Sequence, residues 1–202
     1  MQATIRSLSK EELRQISGES RGDYSSPLDI DLLIEKEYDI TLIEVGDLEL
    51  SLQKEAAISP QLDRIYYDPA IYELRLRFSL AHELAHRILH GVFLREQECA
   101  TLDAFVGFQR TLPFSTVRMM EWEANYFASC LLMPPDELST IICEYVESKC
   151  PQICKAQATF SRDRYLDHFS EQVAGFTANQ FGVSIGAVKK RMEEDDLFDL
   201  IP

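Results

Sequence analysis

The spacing of apolar residues along this chain changes several times, and each change predicts an element. Ser9-Lys10-Glu11-Glu12 has the form of a capping box and predicts a short helix running to about Ser17. The glycine- and serine-rich stretch 17–26 that follows reads as a linker. Pro27 suits the first turn of a second helix, with Leu28, Leu32 and Ile34 on its apolar face. Ile40, Leu42 and Ile43 then carry a strand over residues 39–45, and further strands are predicted at 48–52 and 64–67. Asp68-Pro69 turns the chain into a long segment of period 3.6, in which Leu74, Phe78, Ala81, Ala85, Ile88 and Leu89 fall in one arc. His90-Gly91 is expected to close that helix, with Gly91 as the residue after its cap. Another helix is expected through 121–128, where Glu121, Ala124, Asn125 and Ala128 share a face and Glu123 points to the far side. After Met133-Pro134-Pro135 the pattern is helical. Residues 170–192 have a helix-turn-helix outline, turning at Gly182 and capped by Ser184.

These elements predict an α+β fold: a mainly helical domain, a small and mostly antiparallel sheet of about three strands beside the histidine-bearing helix, and a C-terminal helical module. The expected organisation is an N-terminal helix and linker (1–25), a core (26–150) and the helical module (151–202). No internal repeat is visible.

The chemistry sits on the long helix. His82-Glu83-Leu84-Ala85-His86 places two of the four histidines four residues apart, bordering the apolar arc. Positions i and i+4 share a helical face, so the two imidazoles can meet at one point and hold Zn²⁺ at about 2.0–2.1 Å each. Glu83, roughly 100° round the helix, falls beside the metal and is the candidate general base. A catalytic zinc takes a third protein ligand and leaves one position open. Glu121 is the candidate for it, with Asn125 one turn later as a partner for the outer nitrogen of a ligating histidine. His90 lies about 12 Å along an unbroken helix from His82, too far to share the ion. His168, Tyr126 and Arg118 are weaker candidates for oxyanion stabilisation.

With these residues in place the chain resembles the ImmA/IrrE family of metallo-endopeptidases. The resemblance is carried by residues 77–86 with Leu89-His90, and by 121–128 continuing through Leu131-Leu132-Met133-Pro134. Weaker likeness extends over roughly 25–193. It implies a thermolysin-like zinc site with His82, His86 and Glu121 as ligands, Glu83 as base and Asn125 beside the ligands. It also implies a protein substrate, a helix-turn-helix repressor of a mobile element or stress response. Ala85 stands where glycine is frequent in the family, and the stretch 91–116 is long for it.

Composition narrows the setting. Thirty-four acidic against twenty basic residues give a formal charge of −14. That argues against direct nucleic-acid binding, which rests on basic residues neutralising phosphates, and favours a basic protein partner. No apolar run reaches the roughly 18 residues of a membrane span, and the first residues have no secretory pattern, so a cytoplasmic location is expected. Cys99, Cys130, Cys143, Cys150 and Cys154 are an odd number and match no zinc spacing, so they read as free thiols. Two functions follow from the sequence. The first is a zinc endopeptidase. The alternative is a non-proteolytic regulator that binds and sequesters such a repressor.

Overall fold

A computed structural model describes residues 5–46, 55–149, 151–152 and 162–201. The chain divides into two compact units, Met1–Tyr24 with Asp29–Leu131, and Ser25–Leu28 with Leu132–Pro202. This division differs from the three segments expected from sequence. The N-terminal helix joins the first unit, and the boundary falls at the end of the second long helix rather than near residue 150.

In the first unit, α1 (Lys10–Arg21) opens on the expected capping box: Ser9 Oγ accepts from the Glu12 amide at 3.2 Å, and Glu12 Oε2 accepts from the Ser9 amide at 2.9 Å. It runs a turn further than its sequence suggests because tertiary bonds hold the last turn. Buried Arg21 donates to the Leu131 carbonyl at 2.6 Å and to the Tyr24 carbonyl at 2.9 Å. Helix α2 (Ile30–Glu37) begins at Asp29, whose carboxylate accepts from the Leu32 amide, and not at Pro27. Its buried face is Ile30, Leu33 and Ile34.

Strands β1 (Thr41–Glu44), β2 (Ala56–Ile58) and β3 (Arg64–Tyr67) form a sheet of order β1-β3-β2. Leu42 lies opposite Ile65 in a parallel pair, and Ala57 opposite Tyr66 in an antiparallel one. The sheet is therefore mixed rather than mostly antiparallel. The strand expected at 48–52 lies outside the described residues. Strand β2 gave no period-2 signal, since all three of its residues are buried.

Helix α3 (Glu73–Arg95) carries both motif histidines and passes straight through Gly91. Gly91 is buried, and a Cβ there would stand 3.2 Å from Leu62 Cδ1. The glycine permits close packing against the β2–β3 turn and does not end the helix. Helix α4 (Leu102–Thr111), capped by Thr101, occupies the long stretch between the motifs, and α5 (Phe114–Leu132) follows.

The second unit contains α6 (Pro135–Ser148), α7 (Arg162–Phe181) and α8 (Ile185–Glu194), closed by a 3₁₀ turn at Leu197–Leu200. Gly182 takes a left-handed φ of 61°, and the Ser184 hydroxyl caps α8 at the Ala187 amide. The basic residues of α8 are engaged within the unit. Lys189 is ion-paired with Glu171, and Arg191 is fully buried with its Nε 2.6 Å from Asp195. Among the described residues no helix is long and apolar enough to cross a membrane. Of the cysteine cluster only Cys143 is described, as a half-buried free thiol.

Candidate metal centre

His82 and His86 stand one turn apart on α3, and Glu121 reaches them from α5. The two Nε2 atoms are 3.0 Å apart. Glu121 Oε2 lies 3.3 Å from His82 Nε2, and its Oε1 lies 3.5 Å from His86 Nε2. These three separations can be compared with a known shape. Ligands at about 2.05 Å from a tetrahedral ion stand about 3.3 Å from one another. Two imidazole nitrogens and a carboxylate oxygen are also the donor set of a three-ligand hydrolytic site. The residues fit a metal ion in both spacing and chemistry, and among the described residues they form the cluster able to hold one.

Burial is graded across the centre. The His86 side chain is 2% exposed, His82 15% and Glu121 44%, so the cluster is sealed beneath His86 and open beside the carboxylate. Burial pushes the His86 pKa below its ordinary value, against the opposing pull of Glu121. That favours the neutral imidazole a metal requires. For Glu121, burial works upward, but the two imidazoles facing it outweigh that and hold the carboxyl well below the usual range. Glu121 is therefore an anion aimed at two imidazole nitrogens.

Glu83 is buried beside this cluster and is not part of it. Its Oε2 accepts from the Ile58 amide at 2.9 Å. The neighbouring Ser59 amide donates to Arg64 across the sheet at 2.8 Å, so Ile58, one residue away, turns its N–H outward. Strand β2 thus presents its outer edge to α3, and that edge holds the glutamate. Glu55 Oε2 further ties the start of β2 to α3 by accepting from Ser79 Oγ at 2.7 Å.

Asn125 lies elsewhere than expected. Its amide donates to the Glu121 backbone carbonyl at 2.7 Å, one turn back on its own helix. The outer nitrogen of His86 faces His90 instead, with the two Nδ1 atoms 3.1 Å apart. His90 Nε2 is in turn 3.0 Å from Glu123 Oε2, and both side chains are almost wholly buried. The side of α5 that carries Glu123 is therefore an interior one. The sequence pattern did not bring this pair together, because it ended the histidine helix at Gly91 and set Glu123 on the far side of its own helix from Glu121. The signal available was Leu89-His90, one turn after His86 on the same face. Of the oxyanion candidates, buried Tyr126 uses its hydroxyl to accept from Arg14 Nε at 2.9 Å. Arg118 is exposed, and the His168 side chain lies outside the described residues.

A mainly helical α+β domain with two histidines and a glutamate converging from two helices defines a protein of the HExxH metal-binding class. The match to a known family is specific. Residues 43–193 match the peptidase family described as the IrrE N-terminal-like domain, and the chain belongs to that family. No curated protein matches the sequence significantly. Solved structures of similar fold include a Mycobacterium tuberculosis transcriptional regulator, with TM-score 0.56 and 15% identity. That similarity covers 91% of this chain and 46% of the regulator, so the chain spans less than half the length of that protein.

Proposed function

We propose that this protein is a zinc-dependent endopeptidase that hydrolyses a peptide bond in a protein partner. The observation that carries the reading is the His82–His86–Glu121 cluster: the two Nε2 atoms stand 3.0 Å apart, and the two Glu121 carboxylate oxygens lie 3.3 and 3.5 Å from them, a spacing that suits one ion. The Glu121 side of the cluster is the half-exposed one. Zinc bound there would supply Lewis acidity, acidifying a water and polarising the scissile carbonyl. Glu83 would take the proton from an attacking water and give it to the departing amine. The Ile58 N–H holds one carboxylate oxygen of Glu83, which fixes the direction in which the other is offered.

The partner we propose is a DNA-binding repressor of the helix-turn-helix type. The chain's charge of −14 favours a basic partner and raises the association rate at low salt. The pairing of the α8 basic residues Lys189, Lys190 and Arg191 with Glu171, Glu194 and Asp195 leaves little on that helix to neutralise phosphates, which supports a protein rather than a nucleic-acid target.

The experiment is metal analysis of the purified chain, followed by incubation of wild type and Glu83→Gln with the cognate repressor and mass spectrometry of the products. Wild type should cut the partner. Glu83→Gln should keep its zinc and lose roughly 10²–10⁴-fold in rate. A partner bound tightly but recovered at full mass would instead establish a sequestering regulator.

A further inference from the structure

The buried chain behind the centre has a polarity that can be worked out from its ends. We infer that Glu123 and His90 are positioning residues for His86: they fix its proton on Nδ1 and leave Nε2 bare toward the metal site. This rests on the reading of His82, His86 and Glu121 as a metal centre.

Begin at the buried end. Glu123 Oε1 accepts from the Leu8 backbone amide at 2.7 Å, and Oε2 faces His90 Nε2 at 3.0 Å. A carboxylate only accepts, so His90 Nε2 carries the hydrogen. The other ring nitrogen of His90, Nδ1, faces His86 Nδ1 at 3.1 Å, and a single hydrogen lies between the two. A histidine that ligates through Nε2 keeps its hydrogen on Nδ1, so the donor across this contact is His86. Its Nε2 is left with a lone pair, and that lone pair points at His82 Nε2 and Glu121, where an ion fits. The opposite tautomer would put an N–H where the metal must bind. The order carboxylate, histidine, ligating histidine thus sets ring orientation as well as proton position.

The chain closes on a segment far away in sequence. Leu8 lies 115 residues from Glu123 and just ahead of α1, and Ile5, Arg6 and Leu8 wall the same hollow as His90 and Glu123. The residues before α1 are therefore part of the support for the metal site, through one amide hydrogen.

The test uses the chain and three variants: Glu123→Gln, His90→Phe and Leu8→Pro, the last removing the amide donor together with the leucine side chain. Zinc affinity is measured by competition with a chromogenic chelator. Ring ¹⁵N NMR of the metal-free wild type reads the tautomers directly. We expect His86 protonated on Nδ1 and His90 on Nε2. Zinc should bind Glu123→Gln and His90→Phe about 10–100-fold more weakly than wild type, and Leu8→Pro should shift in the same direction by less. If a variant fails to fold, the wild-type tautomers still decide. His86 protonated on Nε2, or wild-type zinc affinity in folded Glu123→Gln and His90→Phe, would overturn the inference while leaving the centre intact. A wild-type chain that takes up no zinc would overturn both.

Discussion

Replacing Glu121 by alanine separates metal binding from folding, and the two effects can be sized in advance. Four-ligand structural zinc sites bind with about 10–16 kcal/mol, so one ligand is worth about 3–4 kcal/mol, or on the order of 10²–10³ in affinity. Without metal, Glu121 contributes little. Its side chain is 44% exposed, and ion pairs of such exposure are worth about 0–1 kcal/mol. Alanine also suits a helix at least as well as glutamate. The metal-free variant should therefore melt close to the metal-free wild type. With zinc the two should part. At a free zinc concentration 1,000 times the wild-type Kd, the ion stabilises wild type by about 4.1 kcal/mol. The variant at the same concentration sits at only about 1–10 times its own Kd and gains about 0.4–1.4 kcal/mol. The gap of about 3 kcal/mol corresponds to roughly 6–12 °C in the melting of the unit that holds the site. Thermal melts with buffered zinc, alongside chelator competition, measure both quantities. Wild-type zinc affinity in Glu121→Ala would refute the three-ligand centre. A drop of several kcal/mol in the metal-free melt would show that the carboxylate is mainly a structural group.

Other outcomes follow from the same geometry. Asp195→Asn leaves the buried Arg191 guanidinium without its carboxylate and should cost about 3–5 kcal/mol in the second unit; a loss below 1 kcal/mol in denaturant titration would show that the pair is not desolvated. Gly91→Ala gains about 1 kcal/mol of helix propensity but sets a methyl 3.2 Å from Leu62, so calorimetry should find it neutral to about 2 kcal/mol destabilising; clear stabilisation would mean the turn yields. Glu12 has its pKa lowered from 4.5 to about 2, first by the Arg6 hydrogen bond and then by the Ser9 amide. Its folded pKa is depressed, so its contribution is complete above about pH 4.5 and is lost as pH falls toward 2. Glu12→Gln should flatten the acid limb of a melting-temperature profile over that window, and parallel profiles would count against the capping box. Cleavage of a basic partner should slow as salt rises, through the association step; a rate constant independent of ionic strength would remove the electrostatic argument.

Much of the site was legible because its geometry is local. The histidines of His82-Glu83-Leu84-Ala85-His86 meet wherever that stretch is helical, since 3.6 residues per turn brings i and i+4 together. Glu121 was legible as the charged position on a helical face whose other residues, Ala124, Asn125 and Ala128, are uncharged. The capping boundary at Ser9 and the α+β class were readable for the same reason: each depends on residues within a few positions of one another. Three features were decided only by tertiary contact. Helix α3 continues past Gly91 because the glycine lies against Leu62, a packing constraint that imitates a helix-ending signal in sequence. The sheet is mixed because β1 pairs with β3 across the intervening β2, and period-2 patterning records which face is buried but not which neighbour is taken. Glu123 joins His90 and Leu8 in the interior because the segment before α1 folds back across 115 residues. Local spacing can propose a ligand, but the groups that orient it are chosen by whichever distant donors the packed chain brings within hydrogen-bond reach.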